Sequence, residues 1–144
     1  MTEQKIVAVL GGQKSLGRQV KGAFDIDRLI RRGFHIGTGN HIKEALDLTD
    51  HELAGILDVS ERTLSRIRKE NKQLSPLASD RLYRIARIYA LACEVLEDDM
   101  MAKKWLHRPQ AGLGGEIPLD LLHTEAGTRE VEDLLQRIEH GILS

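Results

Sequence analysis

The sequence predicts an all-α fold organised around a helix-turn-helix, with a separate helical part at the C-terminal end. Three observations predict it. From residue 25 onward, apolar residues recur at i, i+3 and i+4, the spacing of one helix face. Residues 49–69 carry a helix cap, a small residue, a tight turn and a second cap in the order that two crossed helices need. All three prolines (Pro76, Pro109 and Pro118) sit where they punctuate helices.

In chain order, residues 1–24 are the least legible. Ile6-Val7-Ala8-Val9-Leu10 reads equally as a short strand or one buried helix turn. Gly11-Gly12-Gln13-Lys14-Ser15-Leu16-Gly17 superficially resembles a phosphate loop. A Walker A motif needs Lys-Ser directly after its last glycine, and here Lys14-Ser15 precedes Gly17. Gly37-Thr38-Gly39 lacks the third glycine and preceding strand of a dinucleotide site. Both stretches read as helix ends and turns. Ile26, Leu29 and Ile30 share one face, with Gly33 as C-cap. Ile42, Ala45 and Leu46 repeat the spacing. Ser75-Pro76 starts a long helix, with Ser at the N-cap and Pro at N1, burying Leu82, Ile85, Ala86, Tyr89, Ala92 and Leu96. A further segment ends at Trp105-Leu106. The last helix runs from about Thr128, with Val131, Leu134, Leu135 and Ile138 on one face and Gly141 in the left-handed position after it. These signals divide the chain into residues 1–48, 49–90 and 91–144.

Composition limits the function. The chain has 144 residues, 41% hydrophobic and 30% charged, enough for a packed interior. One cysteine, Cys93, excludes an internal disulfide framework and fits a reducing compartment. No apolar run suits a membrane span, and Ile6–Leu10 is too short for a signal peptide, so a soluble, cytoplasmic protein is expected. Five aromatics (Phe24, Phe34, Tyr83, Tyr89 and Trp105) are too few for a base-stacking single-strand binder. The net charge of −1 hides an asymmetry: +3 over residues 1–48, +2 over 49–90 and −6 over 91–144. A basic centre and an acidic end suit two different partners.

The most informative stretch is 49–69. Thr49-x-x-Glu52 is a capping box that opens one helix, and Leu53, Ala54 and Leu57 form its buried stripe. Ala54 is small where a second helix crosses closely. Asp58 takes the tight turn, where a left-handed residue is needed, and Val59 plugs the corner. Ser60 caps the second helix, which buries Leu64 and Ile67. This Cro/repressor-like arrangement turns Ser60, Glu61, Arg62, Ser65, Arg66 and Lys69 outward as the DNA-binding face. Arg pairs with guanine O6 and N7, while Ser and Lys hold phosphates. Acidic Glu61 either selects cytosine or repels phosphate.

Catalytic and metal signatures are missing. The six histidines (His35, His41, His51, His107, His123 and His140) are scattered, and His51-Glu52 lacks the second His of a zinc-protease helix. No nucleophile elbow or Cys–His pairing is visible, and Asp98-Asp99 reads as solvated surface. A non-enzyme without cofactor or metal is expected.

Beyond the helix-turn-helix, further motifs run along the chain. They are Leu10-Gly11-Gly12, Arg62-Thr63-Leu64, Leu74-Ser75-Pro76 and Ser79-Asp80-Arg81-Leu82. Then follow Ala102-x-x-Trp105-Leu106-x-x-Pro109 and Leu113-Gly114-Gly115-x-x-Pro118-Leu119-x-Leu121-Leu122. The chain closes on Gly127-x-x-x-Val131-x-x-Leu134-Leu135-x-x-Ile138-x-x-Gly141. Together these resemble the Xre/MbcA/ParS family of antitoxins over nearly everything after residue 8. Gln110 departs from the pattern, where the family often has Asn.

The resemblance implies a dimeric, all-helical, DNA-binding antitoxin that represses its own operon. It also implies a C-terminal domain that inhibits a cognate toxin, often of the RES type that degrades or modifies NAD. On that reading the toxin-binding residues are Val131, Leu134, Leu135, Arg137 and Ile138 of the last helix, with Ile142, Leu143 and Ser144 of the tail. Glu130, Glu132, Asp133 and Glu139 add an acidic surface suited to a basic partner. The alternatives are a stand-alone dimeric repressor and an adaptor that never meets DNA. Trp105 and its apolar neighbours are candidates for the dimer surface or for the core.

Overall fold

The structure, a computed structural model, describes residues 2–141. The protein is all-α: among the described residues no strand forms, only one isolated bridge between His35 and Gln73. Nine α-helices follow in order among the described residues: α1 (Thr2–Val9), α2 (Gly12–Leu16), α3 (Ala23–Arg32), α4 (Ile36–Leu46), α5 (Asp50–Leu57), α6 (Glu61–Glu70), α7 (Pro76–Leu96), α8 (Asp99–His107) and α9 (Glu125–Glu139). Short 3-10 turns at Ala111–Leu113 and Pro118–His123 lie between α8 and α9. The described residues form two compact units, 3–86 and 87–141. Residues up to 48 therefore share a unit with the helix-turn-helix.

In the first unit, Leu10, Ile36, Ile42, Leu46, Leu53, Leu57, Leu64, Leu82 and Ile85 form the fully buried centre. The ambiguous Ile6–Leu10 run is helical. A strand would place Ile6, Ala8 and Leu10 on one face, whereas Ile6, Val9 and Leu10 are buried and Ala8 is exposed, which is helix spacing. Helix α3 ends at Gly33, whose φ of 94° lies in the left-handed half of the map and where a Cβ would run into the Leu74 carbonyl oxygen. That close approach lets three hydrogen bonds form around it. Leu74 N donates to Phe34 O at 2.7 Å, Ile36 N to Lys72 O at 3.1 Å, and Phe34 N to Ser79 Oγ at 2.7 Å. The turn between α3 and α4 is thus tied to the segment leaving α6 and to α7. Helix α7 starts as expected, with Ser75 Oγ accepting from Ala78 N at 3.1 Å and Pro76 at N1. Of the residues expected to be buried along it, Leu96 is half-exposed.

In the second unit, Ala92, Ala102, Leu106, Leu119, Leu122, Val131, Leu134 and Leu135 make the core. Asp98 is exposed, as expected, and is also the N-cap of α8, accepting from Met100 N at 2.8 Å and Met101 N at 3.2 Å. Gln110 Nε2 donates to the carbonyls of Trp105 and Arg108, at 2.9 and 3.2 Å, and so satisfies acceptors at the end of α8. The last helix starts at Glu125, three residues before the expected Thr128. Thr124 is its N-cap, with Oγ1 accepting from Gly127 N at 3.0 Å. Gly127 sits inside the first turn of α9. A Cβ there would collide with the Leu121 carbonyl, so close backbone contact requires the glycine.

Candidate nucleic-acid interface

Helices α5 and α6 form the helix-turn-helix. Thr49 Oγ1 accepts from Glu52 N at 3.1 Å, and Glu52 Oε1 accepts from Thr49 N at 2.9 Å, completing the capping box. Ala54 is 3% exposed, so the close crossing is made over its small side chain. Asp58 adopts φ 58°, ψ 44°, the left-handed turn conformation. Val59 is half-buried in the corner. Ser60 Oγ accepts from Thr63 N at 3.0 Å and starts α6. Leu64 is fully buried, whereas Ile67 is only half-buried.

The six outward residues expected from the sequence, Ser60, Glu61, Arg62, Ser65, Arg66 and Lys69, are all exposed. Arg62, Thr63, Ser65, Arg66 and Lys69 line one shallow concavity along α6. Three cations and two hydroxyls on one face of a helix suit the edge and backbone of a duplex. Exposed Glu61 also has a neighbour within the protein: His51 Nδ1 donates to its Oε2 at 3.1 Å, across the two helix starts.

Sequence reasoning missed what holds α6 in place. Arg68 Nη1 lies 2.8 Å from Asp50 Oδ1, and Arg68 Nε donates to Asn40 Oδ1 at 2.9 Å. Lys43 Nζ reaches the same Asp50 oxygen at 3.0 Å. The hydrogen bond from Arg68, followed by that from Lys43, holds the Asp50 carboxyl below the usual carboxylate range. Arg68 sits one position past Ile67, on the flank between the buried and outward faces. Helical spacing alone gives no signal for it.

The other expected site lies on α9. Val131, Leu134 and Leu135 are buried in the core of their own unit, so they fix α9 rather than present an open surface. Arg137 and Ile138 are half-buried, and Glu132 pairs with Arg87 at 2.7 Å. Glu130, Asp133 and Glu139 are exposed. Ile142, Leu143 and Ser144 lie outside the described residues. Trp105 is half-buried. No metal-holding group of His, Cys, Asp and Glu occurs among the described residues.

Known proteins share both units. Residues 25–87 match the antitoxin Xre-like helix-turn-helix domain, and residues 91–141 match the antitoxin Xre/MbcA/ParS C-terminal toxin-binding domain. A relative named Antitoxin Xre from Yersinia enterocolitica is 32% identical over 116 residues, covering 80% of this chain and 78% of the relative. Another Antitoxin Xre, from Pseudomonas putida, is 34% identical over 118 residues, covering 82% and 73%. The chain belongs to the Xre family of antitoxins. Antitoxins are a regulatory, non-enzymatic kind of protein, and this one pairs a DNA-binding type of domain with a toxin-binding type. The two domain matches of this Xre-family chain fall one on each compact unit, the first running one residue past the division at Ala86. No helix among its described residues is long and apolar enough to cross a membrane.

Proposed function

We propose that this cytoplasmic antitoxin neutralises a cognate RES-type, NAD-targeting toxin and, as a homodimer, represses its own operon. The observation that carries the DNA part is the exposed Arg62–Ser65–Arg66–Lys69 face on a helix anchored by Arg68. One helix-turn-helix reads half a site, so two copies on a two-fold operator supply the specificity. Phe24 and Leu77, 81% and 71% exposed in the first unit, are the apolar residues available for that pairing.

The toxin part is supported by the match over residues 91–141, which favours an antitoxin over a stand-alone repressor. Arg137, Ile138 and residues Ile142-Leu143-Ser144 contact the toxin, while Val131, Leu134 and Leu135 hold α9 in its own unit. The test is co-expression with the adjacent gene product, sizing of the complex, and growth rescue by chains shortened by residues 142–144 or 128–144. Rescue by the 128–144 deletion would exclude α9 as the inhibitory element. Equal affinity for upstream and random DNA would exclude operator recognition.

A further inference from the structure

The Gly11–Gly17 stretch, unused by either proposed activity, borders a cavity of about 590 Å3 in the first unit. That size lies within the range of small-ligand sites. Buried Leu16, Leu29 and Phe34 contribute its apolar part. Lys14, Arg32, His35 and His41 contribute its polar part, and no carboxylate lines it.

The surrounding ion pairs make this distribution informative. Arg18 and Arg28 reach Asp25, at 3.5 and 3.3 Å, and Arg31 reaches Asp27 at 3.0 Å. Lys14 and Arg32, on the cavity, have no carboxylate partner among the described residues. His35 is fixed in one tautomer. Its Nδ1 accepts from Gly37 N at 3.0 Å, so its proton sits on Nε2, which is a donor. Two fixed positive charges and imidazole donors beside an apolar wall match a phosphate monoester carrying an organic body. Such a group bears about −1.5 to −2 charges at neutral pH.

The geometry points to a binding site for a small phosphorylated molecule, formed by Lys14, Arg32, His35 and His41. The site is independent of the DNA and toxin readings. It is also placed to affect the first of them. His35 and Gln73 both line the cavity and form the bridge flanked by the Leu74–Phe34 and Ile36–Lys72 hydrogen bonds. Residues 72–74 lead directly out of α6. Occupancy therefore tightens the exit of the helix that carries Arg62 and Arg66.

The experiment titrates the full chain with adenosine monophosphate, inorganic phosphate and adenosine, following imidazole NMR signals. Adenosine monophosphate is expected to move His35 and His41 saturably and to leave His107, His123 and His140 still. Phosphate should bind more weakly, and adenosine should not shift them. A Lys14→Ala/Arg32→Ala variant, altered only at exposed side chains, should weaken binding at least tenfold with unchanged helix content. Lys69→Ala should bind as the parent does. Slower amide exchange at Ile36 and Leu74 on saturation would support the coupling to α6. Absence of a saturable shift, or equal binding by the double variant, would overturn the site. A double variant that loses only salt-dependent DNA affinity would reassign both cations to DNA phosphates. Unchanged exchange would overturn the coupling.

Discussion

Arg68 and Asp50 are joined at 2.8 Å, which ties the last turn of α6 to the first residue of α5. Asn40 and Lys43 bring α4 to the same point. Three helices thus meet around one guanidinium. The angle at which α6 presents its outward face depends on that junction and on the apolar contact of Leu64.

Replacing Arg68 by Gln should weaken specific DNA binding without changing its salt dependence, because no phosphate contact is lost. Lys69→Ala should weaken binding to all sequences and lower the salt slope by about one. Fluorescence anisotropy across a salt series separates the two. An Arg68→Gln slope equal to that of Lys69→Ala would make Arg68 a phosphate contact.

Arg62→Ala and Arg66→Ala should each cost about 1–3 kcal/mol of operator affinity if each pairs with a base. Random DNA should be affected less. Circular dichroism should stay helical, since both side chains are exposed.

Acid should remove the Asp50 contribution. Its folded-state pKa is depressed, so the stabilisation is complete above the unfolded value and is lost as pH falls through the lower folded-state value. The urea midpoint of Asp50→Asn should lie below that of the parent at neutral pH. The gap between the two should narrow progressively as pH falls below about 4. A gap that does not narrow as pH falls would show that the ion pairs are not its source.

Gly127→Ala should destabilise the second unit by about 1–3 kcal/mol, because the added methyl meets the Leu121 backbone. Trp105 is the only tryptophan and lies in that unit, so its fluorescence follows the loss. Helix propensity alone predicts the opposite sign.

At Asp58, φ is positive and the side chain is exposed; Arg81 stands 3.9 Å away. Such a solvated pair contributes little. Asp58→Gly should leave stability unchanged or slightly raised, while Asp58→Val should lower it by roughly 1–2 kcal/mol. Thermal melts of the two variants test this ordering.

The helix-turn-helix was legible because its signals are local. Thr49 with Glu52, Ser60 with Thr63, and Asp58 in the turn each act within a few residues, and period 3.6 separates Leu64 from Arg62 and Arg66. The start of α9 was misjudged for the complementary reason. Gly127 answers to the Leu121 carbonyl, a contact that no local rule contains. On α9 the same periodicity marked Val131, Leu134 and Leu135 as a face, but periodicity cannot say whether a face meets its own core or a partner.

Propensity, capping and periodicity operate over one or two turns, so the all-helical class, the caps and the outward face of α6 were legible in the residues, and the spaced motifs around Trp105, Pro109 and Pro118 carried the resemblance to the family. That Arg68 meets Asp50 and Asn40, that His51 engages Glu61, and that Lys14 and Arg32 border one cavity became visible only in the folded chain. These pairings join residues ten or more positions apart. They exist only once packing has fixed the helices against one another.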